Sequence, residues 1–368
     1  MAAEVLPPGF TAKTYPEVFT QPPTQPKGNK PGQLTKEQLD KYFDQGYLLV
    51  ENFFDPVELE PCQSAINDLV NDVAEKLYKA GKTTSLYGEF GFEKRLIEIE
   101  KAWPGAVMLL LKLGKLPQAF RDLWSHDRLL NVVEQIVGPE ISAHAVWNLR
   151  PKAPGHTETL VPWHQDSAYF DVDTYNVHVC TAWIPFVNTT KENGCMEFAT
   201  GGHKKGLVGV HQCCENFYLM LDENEMEKRL DIDLSKTEVV EAPLGSILLF
   251  NNVIPHRSIP NVTDSVRWSV DFRWQDTRKP WGFYGLKKGI PLRSAIDHDI
   301  KPDWDEYDKA DRYKIQKQYE IEKFHKEEEP TDEFDVTITG PWFEKYHVTK
   351  HNEHVDAYNT EKENKTNP

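Results

Sequence analysis

The sequence predicts a mainly β protein with flanking helices, its strands arranged as a sandwich or jelly roll braced on one side. Three observations carry this. Helical periodicity is confined to the first 140 or so residues. From 141 to 276 short apolar runs follow one another, several with an alternation of two. Asn-Gly, Gly-Gly and Pro-Leu-Gly turn signals separate those runs. Helices first and short strands afterwards is the order of a β core with helical support.

Residues 1–33 carry seven prolines (7, 8, 16, 22, 23, 26 and 31) without apolar periodicity and read as an irregular arm. Thr35 and Gln38 form a capping box ahead of a short helix that Gly46 can end. YLLVENFF (47–54) then reads as a strand, and Asp55 opens a second helix. On that helix Cys62, Ile66, Leu69, Val73 and Leu77 make one packing stripe. MLLLKLGKL (108–116) is expected to be buried. Ser125 can cap a helix over 126–137 that Gly138 stops. The expected strands are ISAHAVWNLR (141–150), VHVCTAWIPF (177–186), CMEFAT (195–200), TEVVEA (237–242), SILLFN (246–251) and VRWSVDFRW (266–274). The chain thus divides into the arm, a domain over 34–276 (helical support 34–140, jelly-roll core 141–276) and an extension over 277–368. That extension is expected to pack on the barrel with a frayed end and a solvated stretch at 326–335.

A formal charge of −16, from 42 basic and 58 acidic residues, repels phosphate backbones and leaves no basic stripe for nucleic acid. No apolar run is long enough to span a membrane. With no signal-peptide pattern and no SKL-type ending, a cytoplasmic location is expected. Five cysteines without CxxC spacing, Cys213 and Cys214 adjacent, indicate reduced thiols rather than a zinc knuckle or disulfide framework. Oligomeric state leaves no sequence signature.

The chemistry concentrates in PWHQDSAYF. Residues two apart on a strand share a face, so His164 and Asp166 can offer an imidazole and a carboxylate to one metal ion. His-x-Asp is a weak signal alone; His354-Val355-Asp356 is a second copy, in a charged tail without β pattern. The first copy lies between apolar strands, and His256, ninety-two positions on, closes the apolar run GSILLFNNVIPH. Two histidines and a carboxylate on one face of an iron leave the other face open for a bidentate cosubstrate and O2. Arg267, eleven positions beyond His256, and Ser258 offer a guanidinium fork and a hydroxyl suited to the distal carboxylate of 2-oxoglutarate.

WHQD (163–166), TAWIPF (181–186), ENGCMEFATGGHKKG (192–206), APLGSILLFNNVIPHRS (242–258) and VRWSVDFRWQD (266–276) together resemble the phytanoyl-CoA dioxygenase family, densely over about 150–276. ATGGHKKG departs from that family's Pro-Gly-Ser-His turn without touching the metal motif. The resemblance implies a double-stranded β-helix (jelly-roll, cupin-like) core, iron ligands His164, Asp166 and His256, and 2-oxoglutarate contacts from Arg267 and Ser258. It also implies a dioxygenase that couples release of succinate and CO2 to oxidation of a C–H bond in a small organic substrate. Fe(II), 2-oxoglutarate and O2 would be required, with ascorbate a candidate reductant.

Further candidates are positional. Trp183 and Thr181 alternate on their strand and can border the 2-oxoglutarate site or pack in the core. Asn148 lies on the strand leading to the motif, where relatives contact the cosubstrate. Gln165, Tyr169 and Phe170 adjoin the metal motif as candidate substrate contacts, with core packing the alternative for the two aromatics. Arg273 shares a face with Arg267 and can meet a substrate anion, or pair with Asp271 or Asp276. His203 and His211 read as loop histidines. Two other functions compete: a catalytically silent family member that binds a metabolite or partner, and a cupin-like metal hydrolase or isomerase. Arg267 is unexplained by the latter. The acidic balance and lack of a basic coenzyme A cluster point towards a small polar metabolite or natural product.

Overall fold

A computed structural model describes residues 10–283, 289–309 and 333–366. Residues 1–9 of the arm and 326–332 of the acidic stretch lie outside the described residues. Within the arm, Pro16–Thr20 is a helix where irregular backbone is expected; proline sits at its start and Phe19 is fully buried.

Local signals fix the helical support. Thr35 and Gln38 form a reciprocal capping box for Lys36–Gln45, and Gly46 closes it at φ 90°. Asp55 and Glu58 do the same for Pro56–Lys79, whose inward stripe is the expected one, with Leu59, Val70 and Ala74 added. The helix Asp127–Val137 ends at Gly138 as expected, but its N-cap is His126, whose ring accepts the Arg128 N–H; Ser125 is the residue after the preceding helix, Gln118–Trp124.

The expected β run is present with shorter boundaries. The main sheet joins β1 (Tyr47–Val50), β2 (Ile141–Ala143), β3 (Asn148–Lys152), β4 (Val179–Pro185), β9 (Ile247–Asn251), β11 (Arg267–Asp276) and β12 (Ile290–Arg293). The facing sheet joins β5 (Met196–Ala199), β8 (Thr237–Val240) and β10 (His256–Ser258). β6 (His211–Glu215) and β7 (Tyr218–Leu221) make a separate hairpin. All pairings within these sheets are antiparallel. β11 is buried along its whole length because β3 and β4 flank it and helices cover the outer face. This gives a mainly antiparallel jelly roll with flanking helices.

Two local features differ from expectation. ISAHAVWNLR is two strands separated by a bend, both pairing with β11. Cys213 and Cys214 are bonded to each other as a disulfide, whereas Cys62, Cys180 and Cys195 are free and buried. Among the described residues no helix is long and apolar enough to cross a membrane.

Candidate active site

His164 and His256 meet through their backbones. Each N–H donates to the other's carbonyl at 3.0 Å in an isolated antiparallel bridge, so both side chains leave the same side of the two segments. The rings lie 4.2 Å apart, and Phe250 and Phe198 pack against His256. Nδ1 of His164 is 2.9 Å from the Pro162 carbonyl and Nδ1 of His256 is 3.0 Å from that of Ile254. A carbonyl only accepts, so both Nδ1 atoms carry the proton and both Nε2 atoms keep a lone pair.

Asp166 is not on a strand. It opens the 3-10 turn Asp166–Tyr169, held because Ser167 donates through both its N–H and its hydroxyl to the Asn252 carbonyl. The turn folds the carboxylate back beside the imidazoles: Oδ1 is 3.6 Å from His164 Nε2, and one donor atom each from His164, Asp166 and His256 lie within 4.8 Å of one another. Oδ2 accepts from Arg273 Nε at 3.0 Å and Nη2 at 2.9 Å, and from Thr181 Oγ1 at 3.4 Å.

Charge states follow. Burial, assisted by the neighbouring His164, pushes His256 down to about 3, so the imidazole is neutral. Burial alone would raise Asp166, but the Arg273 guanidinium beside it outweighs burial and holds the carboxyl well below its usual range. Two imidazole nitrogens and a carboxylate oxygen converging in a buried site are a donor set that fits Fe(II).

A small chamber lies beside the cluster, lined by Lys152, Trp183, His256, Ser258 and Arg267. Arg267 is 3% exposed and, among the described residues, has no carboxylate within ion-pair distance, although Asp271 lines the same chamber; it donates to Ser269 Oγ at 2.5 Å and the Gly194 carbonyl at 3.1 Å, while its buried Nε has no partner among the described residues. Its guanidinium lies over the Trp183 ring at 5.1 Å. Burial brings Arg267 down to about 10. Lys152, its register partner across β3 and β11, is also 3% exposed and has no ion pair among the described residues; Nζ donates to Ser258 Oγ at 2.7 Å and the Thr159 carbonyl at 3.1 Å. Burial, and then the charges of Arg267 and Arg150, push the Lys152 ammonium well below its usual range. Two buried cations without a carboxylate are costly unless an anion joins them. The charge of the chamber therefore suits the terminal carboxylate of a dicarboxylate.

On the other side of His164 and Asp166 opens a cavity of about 680 Å³. Tyr169 and Phe170 line it, and so does Asn148.

A family model, phytanoyl-CoA dioxygenase, matches residues 42–269. The chain belongs to the phytanoyl-CoA dioxygenase family. It is thereby an oxidoreductase of the 2-oxoglutarate-dependent class, with iron as the metal. The 1-deoxypentalenic acid 11-beta-hydroxylase of Streptomyces arenae is 27% identical over 271 residues, covering 68% of this chain and 85% of the relative. The phytanoyl-CoA dioxygenase of Arabidopsis thaliana is 24% identical over 290 residues, covering 69% and 98%. Among solved structures, the apo form of the non-heme monooxygenase ThoJ superposes with a TM-score of 0.50 at 18% identity, covering 77% of this chain and 96% of that one, a likeness of fold.

Within this family member several candidate residues sit elsewhere than expected. Gln165 does not face substrate: it is fully buried, its amide donates to the Leu207 and Val253 carbonyls, and its Oε1 accepts the Gly209 N–H at 2.7 Å. Arg273 borders the large cavity, yet it is committed to Asp166, with only a longer 3.6 Å approach to Asp271; Asp276 pairs instead with Arg278. Thr181 touches the Asp166 carboxylate and does not line the small chamber, and Asn148 lines the large cavity, in register with Asp271. His211 is the first residue of β6, with Nε2 accepting the Gln165 N–H at 3.0 Å.

The second His-x-Asp copy is structural. Nδ1 of His354 accepts the Ile338 N–H, so Nε2 carries the proton and faces Glu158 Oε1 at 3.2 Å. Although Glu158, Glu353 and His354 have metal-compatible spacing, this tautomer offers no lone pair there, and Asp356 is outside the cluster. The residue missed from the sequence is Lys152. Its signal is a lysine two positions after Arg150, on the same face of the same strand.

Proposed function

We propose that the chain is an Fe(II)- and 2-oxoglutarate-dependent dioxygenase that oxidises a C–H bond of a small organic substrate, with succinate and CO2 as coproducts. The observation that carries this reading is the pair of buried cations, Arg267 and Lys152, neither in an ion pair among the described residues, in a chamber that shares His164 and His256 with the metal-compatible cluster. A hydrolytic or isomerising cupin has no use for a dicarboxylate anchor, and a silent binding protein has no need of the metal donors.

His164, Asp166 and His256 would hold the iron, which when bound supplies the dioxygen chemistry that couples decarboxylation of 2-oxoglutarate to C–H oxidation. The chain's residues do the rest. The Pro162 and Ile254 carbonyls fix both imidazole tautomers, and Arg273 with Thr181 keeps Asp166 ionised and turned towards the histidines. Arg267, Lys152 and Ser258 bind and orient the dicarboxylate, with Trp183 as a flat wall beneath the guanidinium. Tyr169, its hydroxyl engaged by the Leu219 N–H at 2.7 Å, presents its ring edge to His164 and excludes water on the substrate side.

The test is succinate formation by the purified chain supplied with Fe(II), 2-oxoglutarate, O2 and ascorbate. A succinate signal above the heat-inactivated control, abolished by a chelator and by replacing Fe(II) with Zn(II), is expected. Full activity with Zn(II) in a hydrolytic or isomerase assay and no succinate would replace this reading.

A further inference from the structure

The wall chemistry of the large cavity indicates what enters it. At about 680 Å³ it falls in the range of sites that enclose drug-sized molecules. Leu110, Val146 and Val161 supply aliphatic wall, and Tyr169, Phe217 and Trp342 supply aromatic wall. Four cations also line it, and each already has a carboxylate. Arg150 pairs with Asp271 at 2.8 Å, Arg273 with Asp166 at 2.9 Å, Arg121 with Asp308 at 2.8 Å, and Lys115 with Asp72. Asp68 adds a further carboxylate to the lining, with no ion pair among the described residues. In the smaller chamber, by contrast, Arg267 and Lys152 have no ion pair among the described residues.

A coenzyme A thioester would bring several phosphate charges to this cavity. Neutralising them would require breaking ion pairs that are already made, one of which holds the metal-site carboxylate. An apolar skeleton requires no such exchange and gains from burial against the aliphatic and aromatic walls.

Resting on the oxygenase reading, we propose that the substrate is a free, bulky, largely apolar carbon skeleton, not an acyl thioester. Arg150, whose Nε and Nη2 meet one carboxylate oxygen of Asp271, is the polar point of the wall that receives its hydroxyl or carbonyl group. The wall that closes over the skeleton includes Ile338 and Trp342, which lie beyond the 42–269 family match. Shape selection is therefore built partly from this chain's own C-terminal segment. Trp342 is anchored there by its indole N–H, which donates to the Phe217 carbonyl at 2.9 Å.

Calorimetric binding to the full chain tests this, loaded with Fe(II) and 2-oxoglutarate under nitrogen so that nothing turns over. The probes are progesterone as a neutral fused-ring skeleton, free phytanic acid, and phytanoyl-CoA. The two free molecules are expected to bind, and the thioester to bind at least about tenfold more weakly than the acid with the same chain. Trp342→Ala is expected to weaken progesterone binding by about tenfold, and Trp342→Phe, which keeps an aromatic wall, by less. Tighter binding of phytanoyl-CoA than of phytanic acid, competition by free coenzyme A, or no binding of either free molecule would overturn the proposal. Binding heat does not depend on turnover, so failure here is separate from failure of the oxygenase reading, which the substrate-free succinate assay reports.

Discussion

Replacing His256 with alanine is expected to lower succinate formation by more than ~10³-fold, because loss of a ligand exceeds the ~10–100-fold typical of losing an outer hydrogen bond to one. The variant should nevertheless fold. The bonds that pair His256 with His164 are backbone to backbone, and β10 remains paired with β5 through Arg257 and Ser258. Removing the imidazole leaves only a small void beside Phe198 and Phe250. Asp166→Ala should be equally inactive but less stable, since it strands the Arg273 guanidinium in the interior; breaking a buried pair in this way costs about 3–5 kcal/mol. Iron content, succinate rate and thermal midpoint, measured together on both variants, separate the two effects. Wild-type iron content in His256→Ala would remove this residue from the ligand set.

Arg267→Ala carries the second large effect, an increase of about 10²-fold in KM for 2-oxoglutarate, the scale of losing charge-assisted hydrogen bonds to one carboxylate. Because the residue binds cosubstrate and does not touch the metal donors, kcat at saturation should change far less. Lys152→Met should raise the same KM by about tenfold while increasing thermal stability in the absence of 2-oxoglutarate, because an ammonium buried without a carboxylate is exchanged for an apolar chain of similar length. A Lys152→Met protein that loses stability and keeps its KM would make the lysine a structural donor to Ser258 and Thr159. Steady-state kinetics against 2-oxoglutarate and a melting curve decide it.

Much of this was legible in the sequence, for identifiable reasons. β4, β9 and β11 are apolar runs bounded by turn residues, and the capping boxes at Thr35 and Asp55 are local motifs that tertiary context left alone. His256 could be placed because it ends an apolar strand. The β6–β7 hairpin was not legible, since HQCCE has no apolar alternation, and β10 is only three residues long. For the metal motif the three expected residues converge, but through a different local geometry. Strand alternation would put His164 and Asp166 on one face, but Asp166 reaches its place through a 3-10 turn held by Asn252, a residue 86 positions away in the sequence.

Side-chain partners were the least readable layer. Gln165 looks like a site residue from its position between two ligands, yet three backbone groups from distant segments consume its amide. Arg273 could be seen as needing a carboxylate, but nothing local distinguishes Asp166 from its near neighbours Asp271 and Asp276. Lys152 becomes visible only once β3 is set against β11, and Trp342 only once the C-terminal segment is docked over the cavity.

Anaerobic equilibrium dialysis of the full chain against Fe(II) and 2-oxoglutarate bears most directly on the site. One iron and one 2-oxoglutarate per chain are expected, with iron lost in His256→Ala and 2-oxoglutarate lost in Arg267→Ala while iron is retained. Iron held at full stoichiometry without His256, or 2-oxoglutarate bound with unchanged affinity without Arg267, would contradict a shared centre built from His164, Asp166, His256 and the cationic chamber beside them.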